Sequence, residues 1–106
     1  MIARFWSARA TPAGARAYAD HLRTRVLPAV SKVDGYAGAV LLARDVSAAV
    51  EILVITWWQS LDAIRRFAGP DPEDAVVADD AAALLTTFDR RVRHYELVVT
   101  DEAGSP

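Results

Sequence analysis

Two histidines, His21 and His94, are the only side chains whose ordinary titration falls near neutral pH. With no cysteine in the chain, disulfides, thiol nucleophiles and thiolate metal sites are excluded. His94 alternates with Val92, Glu96 and Val98 in a stretch that reads as a strand, which makes it the candidate general base. A histidine that simply satisfies itself in the core is the plainer alternative. His21 sits on the flank of a helical repeat and is expected to be exposed. Arg4 shares strand parity with Ile2 and Trp6, so its stem belongs in apolar surroundings and its guanidinium must meet an acidic partner or a bound anion. Trp6, Tyr18, Trp57, Trp58 and Tyr95 are candidate walls for a flat ligand, or else core and interface anchors. Together these residues could supply a near-neutral base, a cation and flat apolar walls to a bound ligand.

The absences narrow the field further. There is no glycine-rich phosphate loop, nucleophile elbow or zinc spacing, so no cofactor is expected. The acidic residues Asp71, Glu73, Asp74, Asp79 and Asp80 match no calcium-loop spacing and include helix-cap positions, so no metal is expected. Twelve basic against fourteen acidic residues leave a net charge of −2, which offers no field for nucleic acid or an anionic membrane. No apolar run approaches the roughly 20 residues that cross a bilayer, and Arg4 and Arg9 interrupt what a signal peptide would need. The expected location is cytoplasmic.

Residues 1–99 of the 106 read as one domain and Thr100 to Pro106, small, polar and acidic, as a frayed tail. Ile2 to Arg9 alternates as a strand, and Thr11-Pro12 then caps a helix. That helix runs to about Lys32 with Ala15, Tyr18, Ala19, Leu22, Val26, Ala29 and Val30 on one side, and Pro28 is expected to kink or loosen its last turn. After Asp34-Gly35, the strands Tyr36 to Arg44 and Val50 to Trp58 form a hairpin across Asp45 to Ala49. Ser60 caps a helix from Leu61 to Ala68 that Gly69 ends, and Pro70-Asp71-Pro72 makes a rigid loop. A weaker helix is expected from Asp79 or Asp80 to about Phe88, with Ala83, Leu84 and Phe88 inward, and a last strand from Arg91 to Val99.

Strand, helix, strand, strand, helix, strand is the split βαβ order of an α+β, ferredoxin-like fold with a four-stranded antiparallel sheet and its helices on one face. In the third strand Leu53, Ile55 and Trp57 point one way and Ile52, Val54 and Thr56 the other, and both sets are apolar enough to need cover. A second copy of the sheet, related by a two-fold axis, is the simplest cover, so a homodimer is expected.

The opening Ile2-Ala3-Arg4-Phe5-Trp6, the strand Leu53-Val54-Ile55-Thr56-Trp57-Trp58, the following Ser60-Leu61-Asp62-Ala63-Ile64-Arg65-Arg66-Phe67 and the closing His94-Tyr95-Glu96 resemble the antibiotic biosynthesis monooxygenase family. The resemblance runs nearly to Val99 and implies a dimeric α/β barrel. It also implies a cofactor-independent monooxygenase acting on a phenolic or polycyclic aromatic compound; a non-catalytic dimer that binds a small hydrophobic molecule, or serves as an interaction domain, is the alternative. Trp57 or Trp58 matches the family's tryptophan near the end of the third strand. The asparagine of the cofactor-free oxygenases has no counterpart, because the chain contains none. Haem-degrading members carry an asparagine in the first strand and an axial histidine later. Here the first strand offers Trp6 and Ser7, and no histidine lies between Ile64 and Arg93, which argues against haem.

Overall fold

Strand alternation decides what faces what in this protein, whose structure, a computed structural model, describes residues 1–101. The tail expected from Thr100 lies, from Glu102 onward, outside the described residues. β1 (Ile2–Ala10) sits inside the sheet, antiparallel to β3 (Ala49–Trp58) along its whole length, and β3 pairs in turn with β2 (Tyr36–Val46). The other edge of β1 takes two short strands, β4 (Thr87–Phe88) opposite Ala8 and Arg9 and β5 (Arg93–Glu96) opposite Ile2 to Phe5. They are two parts of one strand position split by an excursion in which Arg90 and Val92 bond to Ala75 and Glu73, so the sheet keeps the four-position antiparallel order of the ferredoxin-like fold. The excursion serves Trp6, whose Nε1 donates to the Asp89 carbonyl at 2.9 Å.

The first helix begins as expected, with the Thr11 side chain accepting from Gly14 N at 3.0 Å and Pro12 leading α1 (Pro12–His21). It then widens into a π-helical turn over Leu22–Val26 before α2 (Leu27–Val30). The wide turn answers Pro28, which has no N–H and would otherwise collide with the carbonyl one turn back. The correction to the expected loosened end has a second effect. One additional residue in a turn rotates everything after it by about 100°, so Leu27 turns inward and packs on the core while Ala29 faces solvent.

The β2–β3 hairpin turns on Ser47 and Ala48 alone, both at positive φ (47° and 66°). α3 (Leu61–Ala68) follows its sequence signals, with Ser60 Oγ accepting from Ala63 N at 3.1 Å and Gly69 at φ 94° closing it, although Leu61 stays exposed. The expected helix to Phe88 is overturned. α4 is Asp79–Ala82 only, Ala83 is exposed, and the chain then extends so that Thr86 N reaches Arg9 O at 2.7 Å and Asp89 N reaches Ser7 O at 2.9 Å. The free edge of β1 outcompetes weak helix formers such as Thr86 and Thr87. The last strand, expected from Arg91 to Val99, is likewise shorter.

All helices lie on the face of the sheet that carries Trp6, Ala8, Ile52, Val54 and Trp58, and the buried core fills that side. The other face carries Phe5, Leu53, Trp57 and Tyr95, and among the described residues no helix lies over it. Among the described residues no helix is long and apolar enough to cross a membrane.

Candidate functional site

Register pairs Thr56 with Arg4 and Arg4 with His94, so the three lie side by side across β3, β1 and β5 on the helix-covered face. They form a polar row in an apolar surface. Arg4 is 4% exposed. Its Nη1 donates to the Pro72 carbonyl and lies 3.1 Å from His94 Nε2, and its Nη2 donates to the Asp74 carbonyl at 2.6 Å. A guanidinium can only donate, so Nε2 is the acceptor and the imidazole proton belongs on Nδ1.

No acidic side chain pairs with Arg4 among the described residues. The nearby carboxylates of Asp71 and Asp74 are engaged by Arg91 at 2.5 and 2.9 Å, with Glu73 at 3.9 Å. The guanidinium is therefore bonded directly to carbonyls and an imidazole, with the Phe67 ring 5.5 Å from its Cζ and the Asp74 charge acting on it without a direct ion pair. Burial pulls the Arg4 pKa down to about 10 while the Asp74 charge pushes the other way. Even so the group stays cationic at neutral pH. Burial also lowers the His94 pKa, the Arg4 charge lowers it further and Glu73 opposes both. Protonating His94 would set a second cation against the first.

Arg4, Tyr18 and Thr56 are the polar groups of a pocket between helices and sheet whose apolar walls include Trp6, Leu22, Val54 and Phe67. The π-helical turn supplies Leu22 and Val26 to that wall. The pocket is open to solvent on one side and has a cavity volume of about 60 Å³. Trp6 and Tyr18 lie 5.6 Å apart at 34°. Burial raises the Tyr18 pKa to about 12, so its hydroxyl stays protonated.

Of the residues singled out by sequence, Arg4, Trp6 and Tyr18 line this pocket, and His94 stands next to Arg4 without lining it. Trp58 is on the inner face but wholly buried, stacked on Phe67 at 5.4 Å and edge-on to Tyr36 at 5.5 Å. Trp57 and Tyr95 are on the open face, where Tyr95 meets Phe5 at 5.1 Å, so neither shares the pocket. His21 is half-buried beside Tyr18, at 6.3 Å between rings, rather than exposed. The acidic residues do not form a metal cage: Asp71, Glu73 and Asp74 surround Arg91, and Asp80 accepts from Ala81 N at 3.0 Å. Thr56 and Phe67 escaped sequence reasoning. Alternation with Val54 and Trp58 already marked Thr56 as a polar residue on the inner face, whereas nothing in sequence ties Phe67 to Arg4.

The chain aligns in three dimensions with several solved structures. One is a Bacillus cereus protein assigned as an antibiotic biosynthesis monooxygenase, at 13% identity over 96% of this chain and 97% of that one, with a TM-score of 0.65. Another is the haem degrader MhuD of Mycobacterium tuberculosis with two haems in its active site, at 23% identity over 95% and 99%, TM-score 0.61. A third is the ActVA-Orf6 monooxygenase of Streptomyces coelicolor in complex with nanaomycin D, at 16% identity over 99% and 92%, TM-score 0.60. At these identities the likeness concerns the fold. No curated protein matches the chain in sequence. The sequence profile described as antibiotic biosynthesis monooxygenase matches residues 1–72, which hold β1 through α3 and with them Arg4, Trp6, Tyr18 and Thr56 of the pocket, and the chain belongs to that family.

Proposed function

We propose that this protein is an oxygenase for a small, easily ionised aromatic molecule, which it binds in the inner pocket while paired as a homodimer through its open sheet face. The observation that carries the reading is Arg4: a buried cation that makes no ion pair among the described residues, forming one wall of an apolar pocket. Such a site favours an oxyanion over the neutral phenol or enol, because a desolvated positive charge acts far more strongly than one in water. The electron-rich anion then reacts with dioxygen. For an anthrone-type substrate a ring methylene becomes a carbonyl and the second oxygen atom leaves as water, a balance that needs no added reductant. Trp6 and Tyr18 flank the ring, and the ionised proton leaves through the open mouth of the pocket.

In this reading His94 holds Arg4 rather than receiving the substrate's proton, since its Nε2 lone pair already accepts from Nη1. The same contact tells against haem. The nitrogen that an iron would require is engaged, and His94 does not line the pocket.

Pairing is supported by the open face, where Leu42 is 50% and Tyr95 49% exposed beside Leu53 and Trp57, apolar residues gathered on one side of the sheet. Trp57 and Tyr95 thus belong to the interface.

Oxygen uptake with anthrone, followed at an electrode on chelator-treated protein, tests the reading. Arg4→Met should lower the rate about a hundredfold or more, the usual cost of removing a group that meets a developing anion. Saturable binding across a panel of anthrones and dihydroxynaphthalenes with no uptake would replace the oxygenase by a non-catalytic binder.

A further inference from the structure

Thr56 occupies an unusual place in the pocket. It stands directly opposite Arg4 in the β1–β3 register, so the two inner-face side chains start from backbones about 5 Å apart. Its Oγ1 accepts the indole N–H of Trp58 at 2.8 Å, and among the described residues nothing accepts the hydroxyl's own proton. A threonine hydroxyl has one proton and two lone pairs and rotates to suit its neighbours. With an N–H fixed on the acceptor side, the rotor keeps its proton away from the indole, which leaves it free to point into the pocket that Thr56 lines. The indole itself is held in place. Trp58 has no exposed surface and is packed between Phe67, stacked at 25°, and Tyr36, edge-on at 71°.

We propose that Trp58 is a positioning residue, its N–H committing the Thr56 hydroxyl to donate into the pocket, where Thr56 and Arg4 together receive an oxygen acceptor on the ligand's ring. This rests on the reading of the pocket as an aromatic-ligand site and specifies the ligand further. Arg4 only donates and His94 has its free lone pair engaged, so the row presents a cation and donors, with one spare lone pair on Thr56 Oγ1 as its acceptor. The ring that fits carries a carbonyl or phenolate oxygen at its inner end, and the Arg4 charge rejects an ammonium there.

A double-mutant cycle tests this with emodin, a hydroxylated anthraquinone whose visible absorbance reports binding. Trp58→Phe keeps a ring between Tyr36 and Phe67 and removes the N–H, Thr56→Val removes the hydroxyl at nearly constant shape, and Thr56→Ser retains it. Trp58→Phe and Thr56→Val should each weaken emodin binding about fivefold, the worth of one neutral hydrogen bond. The double variant should bind no worse than either, and Thr56→Ser should bind like the parent. Thermal midpoints measured alongside report the packing cost of losing the indole, which has no reason to follow this pattern. Binding by Trp58→Phe equal to the parent, or an equal loss from Trp58→Phe in the Thr and Val backgrounds, would overturn the inference and leave the pocket reading standing. Failure of the parent to bind emodin would remove the pocket reading, and the inference with it.

Discussion

Arg4 Nη1 and His94 Nε2 lie 3.1 Å apart, joined across two strands as a cation and a neutral imidazole. The pairing depends on His94 staying unprotonated, and its pKa is lowered by burial and by Arg4 itself. The unfolded imidazole titrates near its ordinary value of 6.5 and the folded one below it. Between those two values the unfolded chain holds more protons, so stability rises with pH across that window. It is fully present above 6.5 and is lost as pH falls through the folded pKa. Thermal midpoints measured from about pH 8 downward through 6.5 enter the window from above. The parent should lose more stability on acidification than His94→Gln, and equal losses would mean that His94 titrates as it does unfolded. Oxygen uptake should fall with pH over the same window as Arg4 loses its acceptor.

The open sheet face predicts a change of mass. Leu42 is half exposed in the single chain, so Leu42→Lys should leave the fold intact while placing an unpaired charge at the interface. Light scattering should give twice the chain mass of 11.5 kDa for the parent and a shift toward the single chain for the variant. A parent already monomeric at micromolar concentration would remove the homodimer. Val54→Lys, by contrast, should unfold the protein, because Val54 faces the pocket.

The hairpin turn carries strain that glycine relieves. Ala48 holds φ 66° with a β-carbon, a conformation costing about 1–2 kcal/mol, part of which a glycine returns through its looser unfolded state. Ala48→Gly should therefore stabilise by roughly 0.5–1 kcal/mol, a rise of a few degrees in melting temperature. Ala29→Gly, on the exposed side of α2, should do the opposite by about 1 kcal/mol. If both changes destabilise, the turn is not strained.

Haem titration should give no saturable Soret shift at stoichiometric levels, because the His94 nitrogen is held by Arg4. In Arg4→Met that nitrogen is released, so weak haem binding appearing only in this variant would confirm what blocks it. A tight one-to-one complex of the parent with haem would show that the Arg4–His94 contact opens for the ligand.

Strand parity and caps were legible directly. The alternation of Ile2, Arg4 and Trp6 put Arg4 on an apolar face, Ser60 and Gly69 bounded α3, and a β3 apolar on both sides announced a sheet with two faces to cover. These features follow from each residue's own backbone preference and from a period of two, which need no knowledge of distant chain. The stretch after Ala82 was not legible, because its fate depends on the vacant edge of β1, some seventy residues away in sequence, and an edge's unpaired groups outweigh weak local propensity.

The site divides along the same line. Composition and alternation alone determined that this chain has one near-neutral base on a strand, one inward arginine and no thiol, asparagine or metal spacing to work with. Only the tertiary structure decided how they act. Register placed His94 against Arg4 instead of in the pocket, the Pro70–Val76 loop brought carbonyls rather than a carboxylate to the guanidinium, and the hand of β3 sent Trp58 inward to Thr56 and Trp57 outward. Those outcomes depend on which backbone atoms arrive beside a buried charge from far along the chain, and residue type and spacing carry no record of that.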